Sequence, residues 1–420
     1  LKLTVIGGGS TYTPELVSGI ADRHAGLDID EIALVDPDQE RLEVVGGFAR
    51  RLLDHAGHPA KLRLTSDLEA GVDGASAVLL QLRVGGQAAR ATDETVPLEC
   101  GCLGQETTGA GGLAKALRTV PVVLDVAERV RRIAGEDTWI VDFTNPVGIV
   151  TRALLNAGHR AVGLCNVAIT FQRWVAGLLG VAPDSVALEH VGLNHLTWVR
   201  AVRVDGVDVL PRLLADHGDQ LAEHVGLPAM VMRRLGAVPS YYLKYYYRHD
   251  EIVAEELTRP SRAETVAELE RGLLEMYRDP SLVSKPALLE QRGGAYYSEA
   301  AVQLVASLLN DRGDVQVVNA RNGSTLPFLP ADAVVEVPAR ITGAGAEPLP
   351  VAPLSPAIAG LVAHVTAYEN LALEAAVHGG RDRVFDALLA HPLIGQIEQA
   401  SALADRLVAV NRAFLPWADA

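Results

Sequence analysis

An α/β fold is what this 420-residue sequence predicts: a doubly wound parallel sheet at the amino-terminal end, followed by an α+β region. Three observations carry that reading. Short apolar runs alternate with amphipathic helical stretches up to about residue 168, the rhythm of strands joined by crossover helices. Gly7-Gly8-Gly9-Ser10 follows the first apolar run directly, where a dinucleotide-binding sheet places its phosphate turn. After residue 168 the rhythm changes to a strand hairpin and then to helices, which divides the chain into 1–168 and 169–420.

Taken in order, residues 3–6 form the first strand and 14–24 a helix with apolar positions at Leu16, Val17 and Ile20. Residues 32–35 are the second strand, ending at Asp36, and 40–55 a helix with an apolar face of Leu42, Val45, Phe48, Leu52 and Leu53. Further strands are read at 62–64, 77–82, 139–143 and 161–164, with helices at 119–133 and 147–156 between the later ones. Strands 186–191 and 196–204 meet at Gly192-Leu193-Asn194-His195, and helices dominate from Leu210 onward. Ser261 with Glu264 forms a capping box that opens a helix through Met276, and Ser298 opens another through Leu309. The tail, 355–414, reads as two or three helices broken at Gly379-Gly380 and His391-Pro392.

Composition bounds the function. A hydrophobic content of 49% with 21% charged residues is that of an ordinary soluble globular protein, long enough for two domains. The net charge of −15 argues against nucleic-acid binding, so any phosphate must meet a local pocket. No apolar run approaches a membrane span and no signal segment precedes the first strand, which predicts a cytoplasmic location. The chain starts at Leu1 in place of methionine, read as a trimmed start. Cys100, Cys102 and Cys165 are too few for a disulfide framework, and the first two read as ordinary loop residues.

The chemistry-bearing residues follow strand ends. Gly7-Gly8-Gly9-Ser10, Asn145-Pro146 and Cys165-Asn166 each come just after an apolar run, and in an open parallel sheet such positions converge on one crevice. The glycines let a backbone approach a pyrophosphate, although Tyr12 stands where a third glycine is usual. Asp36 can accept hydrogen bonds from an adenosine ribose and repel a 2′-phosphate, which favours NAD over NADP. Cys165 and His195 could hold a transition metal with places open for substrate oxygens; His190 is an alternative histidine that strand alternation points elsewhere.

Eight ordered motifs make the sequence resemble glycoside hydrolase family 4, and within it the 6-phospho-β-glucosidases. They are Gly7-Gly8-Gly9-Ser10 with Tyr12-Thr13-Pro14-Glu15, Arg83-Val84-Gly85-Gly86 continuing to Arg90, Gly104-Gln105-Glu106-Thr107, and Phe143-Thr144-Asn145-Pro146. Cys165-Asn166-Val167, Gly192-Leu193-Asn194-His195, Tyr242-Leu243-Lys244-Tyr245-Tyr246 and Arg292-Gly293-Gly294-Ala295-Tyr296-Tyr297 complete the set. Asparagine after the cysteine, here Asn166, resembles the β-phospho subgroup, whereas aspartate there is typical of phospho-α-glucosidases and histidine of α-galactosidases. One departure is Ala168, where the subgroup commonly carries proline; without that fixed φ the loop behind the metal is looser.

The resemblance implies a Rossmann-type first domain and a second domain like that of lactate and malate dehydrogenases and family 4 glycosidases. It also implies hydrolysis by redox elimination, an exception to the two-carboxylate scheme of most glycosidases. C3 of the sugar is oxidised by NAD+, a protein base removes the acidified C2 proton, the aglycone leaves C1, water adds, and C3 is reduced again. By family position Cys165 and His195 bind the metal, normally Mn2+, and Tyr242 is the base with Tyr241 in reserve. Arg90 and Arg262 resemble phosphate or sugar clamps, Asn145 binds the sugar or the cofactor ribose, and Asn166 is on the substrate side. Gly7, Gly8, Gly9, Ser10, Asp36 and Glu106 fall on the cofactor side, Glu106 holding a metal-bound water. The implied substrate is a phosphorylated disaccharide or aryl glucoside, and the implied assembly a homodimer or homotetramer. Two competing readings are a malate- or lactate-type 2-hydroxyacid dehydrogenase, which leaves Cys165 and Tyr242 unexplained, and a noncatalytic NAD sensor, which has no need to keep them.

Overall fold

The computed structural model describes every residue except 23–25, 295 and 420, so His24 of the first predicted helix and Ala295 of the last motif lie outside the described residues. The first six strands are β1 (Lys2–Ile6), β2 (Glu31–Val35), β3 (Lys61–Thr65), β4 (Ala77–Leu80), β5 (Trp139–Asp142) and β6 (Ala161–Gly163). All pair in parallel in the order β3-β2-β1-β4-β5-β6. β4 and β5 are buried along their whole length, which explains the apolar runs 77–80 and 139–141, β5 ending in the buried Asp142. The strand order reverses between β1 and β4, and a switch point of this kind opens a ligand crevice beyond the strand ends.

The second part continues the same sheet in antiparallel fashion. β7 (Val186–Leu193) and β8 (Leu196–Val204) form the predicted hairpin, with β9 (Val207–Asp208) and β10 (Val238–Pro239) paired to β8. β11 (Asp314–Arg321), β12 (Val334–Thr342) and β13 (Gly345–Pro348) are strands that the sequence reading did not name within the helix-dominated part beyond Leu210. Their valine-rich pattern is interrupted by Asn319, Glu336 and Pro338, and the first two are polar residues that the sheet buries. β11 meets β6 through the single pair Asn319–Gly163, and β12 meets β7 through Glu336–Gly192. Gly163 is required there, because a Cβ would lie 2.2 Å from Thr151 Oγ1 and 2.9 Å from Asn319 Cβ.

Local chemistry accounts for the helices that frame the crevice. Asp38 caps the helix Gln39–His55 by accepting from Arg41 N–H, and the Ser261–Glu264 capping box is present at the start of the helix Arg262–Arg278. The helix Gly109–Ala134 begins ten residues before the predicted 119, because its glycine-rich first turns are held by packing rather than by propensity. A Cβ at Gly111 would lie 2.4 Å from the carbonyl oxygens of both Asp93 and Gln105. From that helix, buried Arg118 donates to both carboxylate oxygens of Asp93 (2.8 and 2.6 Å), which fixes the neighbouring helix Gly86–Thr95. The tail folds as helices Pro356–His378, Arg381–Leu389 and Ile397–Asn411, with the breaks where the glycine pair and His391-Pro392 predict them.

Candidate active site

Beyond the ends of β1, β4, β5 and β6 lies a cleft of ≈ 860 Å³, large enough to enclose most of a ligand. Arg41, Arg83, Arg90, Lys115, Arg262 and Arg292 line it against the carboxylates of Asp36, Asp38, Glu106 and Glu270. This is a local positive excess in an acidic chain, as bound phosphate requires.

At the cofactor end, Gly7 and Gly8 both donate their N–H to Val35 O at 2.9 Å, which folds the glycine turn over the end of β2. Gly7 has φ 87° and needs to be glycine; Gly7, Gly9 and Ser10 face the cleft, while Gly8 stands behind them. Asp36 accepts from Gly9 N–H (2.9 Å) and Asp38 N–H (3.0 Å), so its carboxylate is held at the rim where a ribose would lie. A Cβ at Gly9 would sit 2.9 Å from Asp36 Cγ and Oδ2, so Gly9→Ala displaces that carboxylate. The expected outcome is a fall in NAD+ affinity of roughly tenfold or more, with Mn2+ affinity unchanged, measured by titration calorimetry.

At the sugar end, Asn145, which follows β5 through a cis peptide to Pro146, lines the cleft, and its Oδ1 is buried with no partner among the described residues. That acceptor suits a sugar or ribose hydroxyl. Asn166 also faces the cleft, at the start of the helix Val167–Leu179. Arg90 is buried and reaches Glu94 Oε1 (2.7 Å) and Glu106 Oε1 (3.2 Å), whereas exposed Arg262 donates to Gln291 O (3.0 Å). Glu106 lies among Arg83, Arg90 and Lys115, the last at 2.7 Å. Burial alone would raise its pKa, but Lys115, Arg83 and Arg90 hold it well below the usual carboxylate range. Burial, then Arg83, brings Lys115 down to about 8.

Cys165 and His195 share Tyr242 as a neighbour: its ring stacks on His195, and Cys165 acts on it electrostatically. His195 occupies the two-residue turn between β7 and β8 with φ 61°, a left-handed conformation costing of order 1–3 kcal/mol for a non-glycine residue. Its Nδ1 lies 3.0 Å from Thr107 Oγ1, so Nε2 is the ring nitrogen left for a cation. Burial lowers its pKa to about 4, and a neutral imidazole is the form that ligates. Cys165 is buried behind the cleft surface. Burial first, then the Glu336 charge, pushes its thiol up, while Val167 N–H and the side chains of Tyr297 and Asn194 favour the thiolate. A thiolate and a neutral imidazole are a donor set that fits a divalent transition metal held by two protein ligands. No group of three or more acidic, cysteine and histidine side chains able to hold a metal occurs among the described residues. His190 is turned to Glu336, 2.9 Å away, after a bulge in β7.

The Tyr242 ring stacks on His195 with centroids 3.7 Å apart and planes 9° apart, and Tyr241 stacks on Tyr242 at 4.5 Å. Both line the cleft. Burial pushes Tyr242 well above the ordinary phenol value and Tyr241 adds to the rise, so the protein by itself keeps it protonated. Sequence reasoning assigned no role to Arg83, Lys115, Glu270, Arg292, Tyr297 or Glu336. Arg83, Arg292 and Tyr297 stand inside the quoted motifs, whereas Glu270 gathers Arg41 (3.0 Å), Gln87 (3.1 Å) and Arg292 (3.2 Å) from distant segments and had no local signal.

The comparison with known families decides what this cleft belongs to. The family 4 glycosyl hydrolase model matches residues 2–181, and that of the family 4 glycosyl hydrolase C-terminal domain matches residues 190–394. The chain belongs to family 4 of the glycosyl hydrolases. Among family 4 relatives, a probable 6-phospho-beta-glucosidase of Bacillus subtilis (strain 168) is 39% identical, over 99% of this chain and 97% of that protein. The 6-phospho-beta glucosidase from Thermotoga maritima, solved with manganese, NAD+ and glucose-6-phosphate, has a TM-score of 0.93 at 34% identity, covering 99% of each chain. A lactate dehydrogenase from Cryptosporidium parvum, at 16% identity and a TM-score of 0.55 over 90% of this chain and 98% of that one, shares the fold alone.

Proposed function

We propose that this family 4 member hydrolyses the β-glucosidic bond of 6-phosphorylated glucosides, with NAD+ and a divalent cation, normally Mn2+, resident in the cleft. The observation that carries the reading is the stack of Tyr242 on His195 beside Cys165, at the edge of a glycine-turn cleft with excess positive charge. When bound, NAD+ supplies reversible oxidation at C3 and the cation supplies the Lewis acidity that makes the C2 proton removable. Cys165 and His195 hold the cation. Gly7, Gly8, Gly9, Ser10 and Asp36 hold the dinucleotide, and Glu106 orders a water next to the cation from within its cluster of positive charges. Arg90 and Arg262 approach the phosphate from two separate helices. Asn145 and Asn166 orient the sugar, and Tyr242 takes the C2 proton.

In this reading residues 1–168 form the NAD-binding domain, and 169–420 carry substrate, metal and subunit contacts in a homodimer or homotetramer. No described helix is long and apolar enough to cross a membrane, and a cytoplasmic location accords with a phosphorylated substrate. The test is release of nitrophenol from the 6-phosphorylated β-glucoside with and without NAD+ and Mn2+, beside the unphosphorylated and α-linked analogues. Turnover of the β-phosphate alone, dependent on both additions, is expected. Stoichiometric NADH would instead return the dehydrogenase reading.

A further inference from the structure

Glu336 is a fully buried carboxylate in the row of residues where the parallel and antiparallel parts of the sheet join. Its hydrogen-bond partners among the described residues are His190 (Nε2 to Oε1, 2.9 Å), Asn194 (Nδ2 to Oε2, 3.0 Å) and Asn319 (Nδ2 to Oε2, 3.0 Å), none of them a lysine or arginine. A buried carboxylate in such a place is costly unless its donors are well aimed, and here three side chains from two strands and a turn converge on it. Two of those donors sit next to the ligand pair. Asn194 is the residue before His195 in the tight turn between β7 and β8, and Asn319 is paired with Gly163 at the end of β6, two residues before Cys165. The carboxylate thus ties the His195 turn to the strand end that leads into Cys165.

We propose that Glu336 is a positioning residue for the metal site: by holding Asn194 and Asn319 on one carboxylate oxygen it fixes the His195 turn and the end of β6, with Cys165, relative to one another. The proposal rests on the metal reading of Cys165 and His195. An outer partner of this kind orients the ligands rather than touching the metal, and its loss typically weakens metal binding by ~10–100-fold. Glu336→Gln presents an amide N–H2 to a ring of donors, so it cannot accept from all three. Asn194→Ala removes the link to the His195 turn and leaves the carboxylate its two remaining donors, so it carries the test if the first variant does not fold.

The experiment titrates the full-length protein with Mn2+ alone, followed by electron paramagnetic resonance, and with Co2+, followed by the thiolate-to-cobalt charge-transfer absorption. Wild type is expected to bind Mn2+ and to show the cobalt band. Each variant is expected to lose ~10–100-fold in Mn2+ affinity and to show a weakened or shifted band. NAD+ affinity should stay within about twofold of wild type, as for an independent site. The double variant should be no worse than the weaker single one, because both cut one line of contacts. A wild-type band with both variants indistinguishable from it overturns the positioning role alone. A wild type without the band overturns the metal reading and the positioning role with it.

Discussion

Replacing Tyr242 by phenylalanine is expected to lower kcat by about 10²–10⁴-fold, the usual contribution of a positioned general base, with KM and the Mn2+ and NAD+ affinities close to wild type. The variant isolates one atom. Phenylalanine keeps the face stacked on His195 at 3.7 Å and the contact with Tyr241, so the ligand turn has no reason to move. Burial raises the phenol well above its ordinary value, so the unloaded protein holds a poor base at neutral pH. In the proposed reading, a divalent cation held by His195 and Cys165 would oppose that burial, because nearby positive charge favours the phenolate. Initial rates with the phosphorylated β-aryl glucoside measure the effect. If Tyr241→Phe loses the activity and Tyr242→Phe keeps it, the base is the neighbouring ring.

Cys165→Ser is expected to remove turnover and to weaken Mn2+ binding by at least the ~100-fold that loss of a supporting partner can cost. Serine fits the same space and can accept from Val167 N–H and the Asn194 and Tyr297 side chains, but it does not ionise to a ligand. NAD+ binding should survive, since the glycine turn is held by β2 and Asp36 rather than by β6. The direction of the pH dependence follows from the thiol. Burial pushes it up, so metal binding must displace a proton, and Mn2+ affinity should rise with pH by up to about tenfold per unit. Titrating Mn2+ at several pH values by electron paramagnetic resonance measures both effects, and an affinity independent of pH would argue against the sulfur as ligand.

What the sequence made legible was whatever has a local signature. Apolar runs ending in glycine, asparagine or cysteine marked β1, β5 and β6 and placed the residues after them on one crevice. The tight turn between β7 and β8 set His195 apart from His190. Beyond local signals the reading failed for identifiable reasons. β11 and β12 were missed because Asn319 and Glu336 interrupt the apolar pattern, and Glu336 finds its partner Asn194 142 residues away in sequence, where no local signal reaches. Read from sequence, the helix Gly109–Ala134 starts at residue 119 rather than at Gly109, which leaves Lys115 outside it, because only close packing against Asp93 and Gln105 makes glycine acceptable in the first turns. Glu270 gathers Arg41 and Arg292 from segments far apart, so its importance appears only once the chain is folded, whereas Glu106 stood in a motif and only its cluster of cations waited for the fold.

The central claim is that the glycosidic bond breaks by removal of the C2 proton and that NAD is needed without being consumed. The most direct test is turnover of the 6-phosphorylated β-aryl glucoside in D2O with NAD+ and Mn2+, with the glucose-6-phosphate product examined by proton NMR and NADH followed by absorbance. Solvent deuterium at C2 of the product with no net NADH is the result this account predicts. Product that retains its original C2 proton, or NADH formed in proportion to product, would contradict it.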